Sequence, residues 1–240
     1  IRNFKATQVK NNLDDETKYL QNIRKILNII TESNSDKYFD EIYNNICNVK
    51  DNYSDKYEIV CEEIYKLLST NYLYSKSYCN IFNFLIKKDN YFKILLDSEI
   101  NNFEKMFENL LYISPDENYE KFCEYNKCNE KRRAKITFYS NLYLINVIND
   151  EDIYRICNIL FDITKKNLNV ENKKNEVDEL SEYSYILITT IFNNLSNNNK
   201  ILADNLFSIV TEYSNYKVKD FKSITNKCIF KHMDIIDELS

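Results

Sequence analysis

Apolar residues recur along this chain at intervals of three and four, and the stretches between the runs are short and polar. That spacing puts one apolar stripe on each of a succession of α-helices. Residues 15–30 carry Leu20, Ile23, Ile26, Leu27 and Ile30 on one face. Asp36 stands where a cap for the next helix is expected, with Phe39, Ile42, Tyr43 and Ile46 inward. Ser54 and Asp55 open a third helix bearing Tyr57, Val60, Cys61, Ile64 and Leu68. From Tyr72 to Ile86 the chain is more uniformly apolar, which predicts burial on several sides. Residues 91–112 read as one long helix through Phe92, Leu95, Ile100, Phe103, Phe107 and Leu111.

Ser114-Pro115-Asp116-Glu117 is the firm break, and Pro115 suits the first turn of a following short helix. Residues 116–130 are densely charged and predict a loop or an exposed helical link. Helical periods then cover 130–148 and 151–166, a polar connector covers 167–175, and further helices cover 177–195, 199–214 and 220–239. Paired helices recurring at about 40 residues match an α-solenoid of HEAT type. A compact bundle is the alternative. The solenoid is preferred because each helix pair leaves an apolar face that only a neighbouring pair covers.

Composition strengthens the all-α reading. The chain has no glycine and a single proline in 240 residues. Without glycine there is no cheap positive-φ position, so glycine-rich phosphate cradles, dinucleotide fingerprints and nucleophile elbows are excluded. Asn is expected to take the left-handed positions that end helices, as at Asn193-Asn194 and Asn197-Asn198-Asn199. A net charge of −5 gives no global attraction to nucleic acid or anionic membrane. No apolar run approaches the roughly 20 residues of a membrane span. The opening residues Ile1-Arg2-Asn3-Phe4-Lys5 lack an initiator Met and a signal-peptide core, so the chain reads as a fragment or processed form. Abundant Asn, Lys, Ile and Tyr beside three Ala match an AT-rich genome.

Candidate chemistry is sparse. Seven cysteines are present, Cys47, Cys61, Cys79, Cys123, Cys128, Cys157 and Cys228, mostly at apolar-periodic positions. Free thiols in a reducing, cytoplasmic setting are expected. Cys123 and Cys128 form the one close pair, and the single histidine, His232, is remote from them, so no metal site is expected. His232 is expected on a helix surface. Acidic groups at Asp14-Asp15, Glu62-Glu63 and Asp150-Glu151-Asp152 read as helix starts. These residues make no catalytic constellation, and the chain reads as non-enzymatic, with no cofactor and no small-molecule substrate. The densest basic cluster is Lys127, Lys131, Arg132, Arg133 and Lys135, a candidate RNA contact if the charges gather in space. Tyr139 and Tyr143 nearby read as core before stacking platforms.

Four segments carry a family resemblance. They are Ile23-Arg24-Lys25-Ile26-Leu27-Asn28-Ile29-Ile30-Thr31, Lys131-Arg132-Arg133-Ala134-Lys135-Ile136-Thr137-Phe138, Ile186-Leu187-Ile188-Thr189-Thr190-Ile191, and Asn226 through Asp237. In this order and spacing the chain resembles the middle domain of the translation initiation factor 4G family. It departs from the family pattern at Ile29, Glu32, Ala134, Lys135 and Ile229. A divergent copy from an AT-rich giant virus or protist suits the composition.

The resemblance implies an all-α solenoid of about five HEAT-type antiparallel helix pairs forming a crescent. It implies a single domain over 15–239, preceded by an N-terminal extension at 1–14 and interrupted by a charged connector near 114–130. It further implies a scaffold that docks and stimulates a DEAD-box RNA helicase of the initiation factor 4A type. A cap-binding protein would join through regions outside this chain. By position, Leu27, Asn28, Ile30 and Thr31 would meet one helicase lobe, and Lys227, Phe230, Lys231, Asp234 and Asp237 the other. A generic HEAT adaptor in splicing, decay or poly(A)-binding-protein contacts is the alternative.

Overall fold

A computed structural model of the protein describes residues 15–31 and 34–239, and the proposed extension at 1–14 lies outside them. The described residues form ten α-helices and no strand. They are α1 (Asp15–Ile29), α2 (Phe39–Asn52), α3 (Tyr57–Ser69), α4 (Ser75–Lys88) and α5 (Tyr91–Asn101). There follow α6 (Tyr119–Leu144), α7 (Asp150–Leu168), α8 (Lys174–Asn198), α9 (Lys200–Ser214) and α10 (Asn226–Leu239). Two compact units divide between Ile64 and Tyr65, within α3.

The first unit packs α1 on α2. Ile23, Ile26 and Leu27 from α1, Ile30 just past its end, and Ile42, Ile46 and Val49 from α2 are all buried, as their period requires. Asn45, Asn48 and Asn52 each donate from Nδ2 to the carbonyl four residues back, at 2.8 Å.

In the second unit α8 is the central element, packed against α6, α7, α9 and α10. Val177, Leu180, Tyr183, Leu187, Ile188, Ile191 and Leu195 give it buried residues around much of its circumference. Every second helix meets the next: α4 touches α6, α6 touches α8, and α8 touches α10. An aromatic cluster ties α3, α4 and α6, with Phe82 centred 5.5 Å from both Tyr65 and Phe138. Such tilted pairs add roughly 0.5–1.5 kcal/mol each beyond area burial. The Tyr65 and Tyr139 hydroxyls share a buried hydrogen bond of 3.1 Å.

The helix α7 shows sequence-coded ends. Asn149 Oδ1 accepts from the Asp152 N–H at 2.8 Å, Asp150-Glu151-Asp152 occupy the first turn, and Lys165-Lys166 the last. Opposite charges thus sit at the ends of the macrodipole that favour them.

Several boundaries differ from the sequence reading. The expected helix 91–112 stops at Asn101, and a 3₁₀ turn over Phe103–Phe107 carries the apolar period on. Asn102 ends α5 by donating its side-chain amide to the Ser98 carbonyl at 2.8 Å. Most of the charged 116–130 stretch is helical: Asn118 Oδ1 accepts from the Lys121 N–H at 3.0 Å, and α6 then runs unbroken to Leu144. Pro115 sits in the turn before that cap and not in a helix. Asp36 lies inside a 3₁₀ turn, Ser35–Tyr38, and α2 has no side-chain cap. Tyr72, Leu73 and Tyr74 are exposed ahead of α4, so the extensive burial expected of 72–86 is met only within α4, where Tyr78, Cys79, Ile81, Phe82 and Leu85 are buried. Glu62-Glu63 lie within α3, and α10 begins at Asn226 and not at 220.

Asn does supply the left-handed backbone, at other positions than expected. Asn146 and Asn172 have φ of 60° and 61°, whereas Asn193, Asn194, Asn197 and Asn198 stay within α8. Asn146 ends α6 through its N–H to the Tyr143 carbonyl at 2.9 Å. His232 is fully buried and not on a helix surface.

Candidate docking surfaces

α10 is amphipathic with an unusual outer face. Cys228, Ile229, His232 and Ile235 face inward, while Lys227, Phe230, Met233, Asp234 and Asp237 face out. Phe230 is 59% and Met233 46% exposed, which puts two large apolar side chains in solvent among charges. The polar partners are partly spoken for. Lys231 Nζ lies 3.3 Å from Glu182 and 4.4 Å over the Tyr185 ring, and Lys227 lies 3.7 Å from the same glutamate. Asp234, Asp237 and Glu238 line a depression of about 360 Å³ with Tyr185, whose hydroxyl donates to Glu238 at 3.3 Å. Partial burial and then the Glu238 carboxylate hold the Tyr185 pKa above its ordinary value. Of the five α10 residues singled out in the sequence, Lys227, Phe230, Asp234 and Asp237 are exposed, and Lys231 is half-buried. Met233, Glu238 and Tyr185 were missed, although helical spacing places Met233 beside Phe230 and Asp237.

The N-terminal set divides by face. Leu27 and Ile30 are buried at 4% and 1% exposure, whereas Asn28 and Thr31 are exposed. The Thr31 N–H donates to Asn34 Oδ1 at 2.7 Å, and Asn34 Nδ2 donates to the Ile29 carbonyl at 3.1 Å, which closes the end of α1.

The five basic residues of α6 do not form one patch. Successive helical residues point about 100° apart, so a contiguous run is dispersed around the axis. Lys127, Lys131 and Arg133 line one groove, Arg132 another cavity and Lys135 a third depression. Arg133 is ion-paired with Glu179, and Lys135 with Glu99. Lys127 and Lys131 make no ion pair among the described residues and stand one turn apart on the surface. Their groove, about 760 Å³, also holds exposed Tyr72 and Leu73 together with Ile186. Tyr139 and Tyr143 are buried at 0% and 2% exposure and present no stacking face.

Behind α6 lies a buried polar network. Arg132 donates from Nε to the Met106 carbonyl at 2.9 Å and from Nη1 to Asn129 Oδ1 at 2.8 Å. The Tyr183 hydroxyl donates to the same Asn129 oxygen at 3.0 Å. Glu176 accepts from the Tyr112 N–H at 3.1 Å and pairs with Lys173 at 3.0 Å. Around His232, Nδ1–H donates to the Cys228 carbonyl at 2.8 Å and Tyr213 stacks at 4.9 Å. Burial pushes the Cys228 thiol up to about 12, which keeps it protonated and unreactive.

Among the described residues no three His, Cys, Asp or Glu side chains gather to hold a metal ion, and no helix is long and apolar enough to cross a membrane. No protein-family model matches the chain, and no curated protein matches it.

Proposed function

We propose that this chain is a non-enzymatic, cytoplasmic scaffold of the initiation factor 4G middle-domain type, which docks a DEAD-box RNA helicase of the initiation factor 4A type. The observation that carries the reading is the outer face of α10, where Phe230 and Met233 stand exposed beside Asp234 and Asp237. Apolar anchors ringed by charge are what an interface core and rim require. The acidic depression lined by Asp234, Asp237 and Glu238 suits a basic side chain of the partner. Contact between alternate helices from α4 to α10 is the packing expected of stacked HEAT-type pairs and supports the solenoid. Scaffolding of this kind speeds a partner's reaction by holding its parts in a productive orientation, with no chemistry in the scaffold. Exposed Asn28 and Thr31 serve as the N-terminal contacts, while Leu27 and Ile30 support them from the core. A cap-binding protein joins through regions outside this chain.

The test is charge reversal on α10. Asp234→Lys with Asp237→Lys abolishes stimulation of the helicase ATPase and leaves the helical circular dichroism unchanged. Unaltered stimulation refutes the α10 contact.

The groove bearing Lys127, Lys131 and exposed Tyr72 favours a second reading, an mRNA-metabolism adaptor that grips single-stranded RNA by phosphate contact and one stacked base. Lys127→Glu with Lys131→Glu then weakens RNA binding and lowers its salt dependence by about two counter-ions.

A further inference from the structure

Arg132 is a buried cation without a counter-ion. It is 8% exposed, and its Nε and Nη1 donate to the Met106 carbonyl and Asn129 Oδ1. Nη2 makes no hydrogen bond, and no carboxylate lies within ion-pair distance of the guanidinium, among the described residues. The charges around it pair without it: Arg133 with Glu179, and Lys173 with Glu176. Of these three cations Arg132 alone makes no ion pair among the described residues, and Lys121, Glu108 and Glu124 add further charges around the cavity it lines. Arginine is almost never buried unpaired, because a desolvated charge needs compensation.

That guanidinium lines a cavity of about 480 Å³ between the 108–113 segment and α6. Leu110, Leu111 and Ile113 make one wall apolar, and Tyr125 and Lys173 stand near the charge. The buried Tyr125 hydroxyl interacts with the Asn129 side chain, and neither that hydroxyl nor Asn129 Nδ2 completes a hydrogen bond of full geometry. Glu108 and Glu124 also line the cavity, but both are exposed and neither is ion-paired with Arg132.

We propose that this cavity binds a carboxylate carried on an apolar stem. The planar guanidinium fork of Arg132 receives the carboxylate oxygens, a geometry it matches better than a point charge does. Leu110, Leu111 and Ile113 cover the stem, which discriminates against strongly hydrated inorganic anions. The site is separate from α10 and from the Lys127 groove, so it stands whether or not a helicase docks.

The test uses the whole chain labelled with ¹⁵N-arginine, following the Arg132 Nε–H resonance, which its bond to Met106 marks by slow exchange. Hexanoate is titrated against acetate, inorganic phosphate, and a tripeptide ending in leucine as the free acid or the amide. Hexanoate or the free-acid peptide shifts the resonance saturably, about ten-fold more tightly than acetate, because the stem adds apolar burial. A response to the peptide acid places the carboxylate on a chain terminus; a response to hexanoate alone places it on a free acid. Leu111→Glu, at a position 58% exposed, tethers a carboxylate at the cavity, raises Tm and removes the response. Silence of Arg132 toward both hexanoate and peptide overturns the proposal. So does an equal response to phosphate, or an unchanged response in Leu111→Glu.

Discussion

His232 gives the fold a built-in sensitivity to acid. The ring is fully buried, its Nδ1–H is committed to the Cys228 carbonyl, and Nε2 faces no partner among the described residues. Burial lowers the imidazole pKa from 6.5 to about 4, against the smaller opposing effect of the Cys228 carbonyl. The groups packed around it are Cys228 on its own helix, Tyr213 from α9 and Phe161 from α7. Asp178 on α8 is bonded to Thr225, and no carboxylate is ion-paired with the imidazole among the described residues. Between pH 6.5 and 4 the unfolded chain therefore binds a proton that the folded chain refuses. Stability rises with pH across that window. The full effect is present above 6.5 and has been lost by pH 4, a difference of about 3 kcal/mol at roughly 1.4 kcal/mol per unit. His232→Phe keeps an aromatic ring on Tyr213 and removes the titration. Urea unfolding followed by circular dichroism at pH 7.5, 6, 5 and 4.5 measures both proteins. The variant lies within about 1 kcal/mol of the wild type at pH 7.5, since a single hydrogen bond is lost. It overtakes the wild type as pH falls, and the difference between the curves isolates His232 from the carboxylates common to both. Parallel curves over the whole range would refute the buried neutral imidazole.

Backbone and thiols give two more tests. Asn146, held at φ 60°, accepts glycine without loss of stability, whereas Asn146→Val lowers it by about 1–2 kcal/mol in thermal unfolding. Maleimide labels exposed Cys123 first, while Cys79 and Cys157, whose thiols burial pushes far up, react only on unfolding. Labelling of Cys157 at the rate of Cys123 in the native protein contradicts the packing of α7.

Helix identity was legible wherever an apolar period met local end signals. For α7 the sequence holds the cap, the acidic first turn and the basic last turn, and the structure follows them. The 91–112 region misled because Phe103 and Phe107 keep the apolar spacing through a 3₁₀ turn while Asn102 stops the α-helix. The basic run of α6 misled for a different reason. Adjacent letters suggest a cluster, but Tyr125, Asn129, Arg132, Ile136, Tyr139 and Tyr143 recur at three and four and form the buried stripe. That period alone places Arg132 on the buried side of α6. His232 yields to the same reasoning, three to four residues from Cys228, Ile229 and Ile235. What no period reveals is long-range pairing: Arg133 with Glu179 and Lys135 with Glu99 remove two charges that the sequence offers as free.

The helicase-docking proposal is tested most directly by the RNA-dependent ATPase rate of an initiation-type DEAD-box helicase, with and without this chain. Stimulation that saturates near one-to-one stoichiometry, and that is lost in the Asp234→Lys, Asp237→Lys variant, is the expected result. An unchanged rate at saturating chain, together with no co-elution of the two proteins, contradicts it.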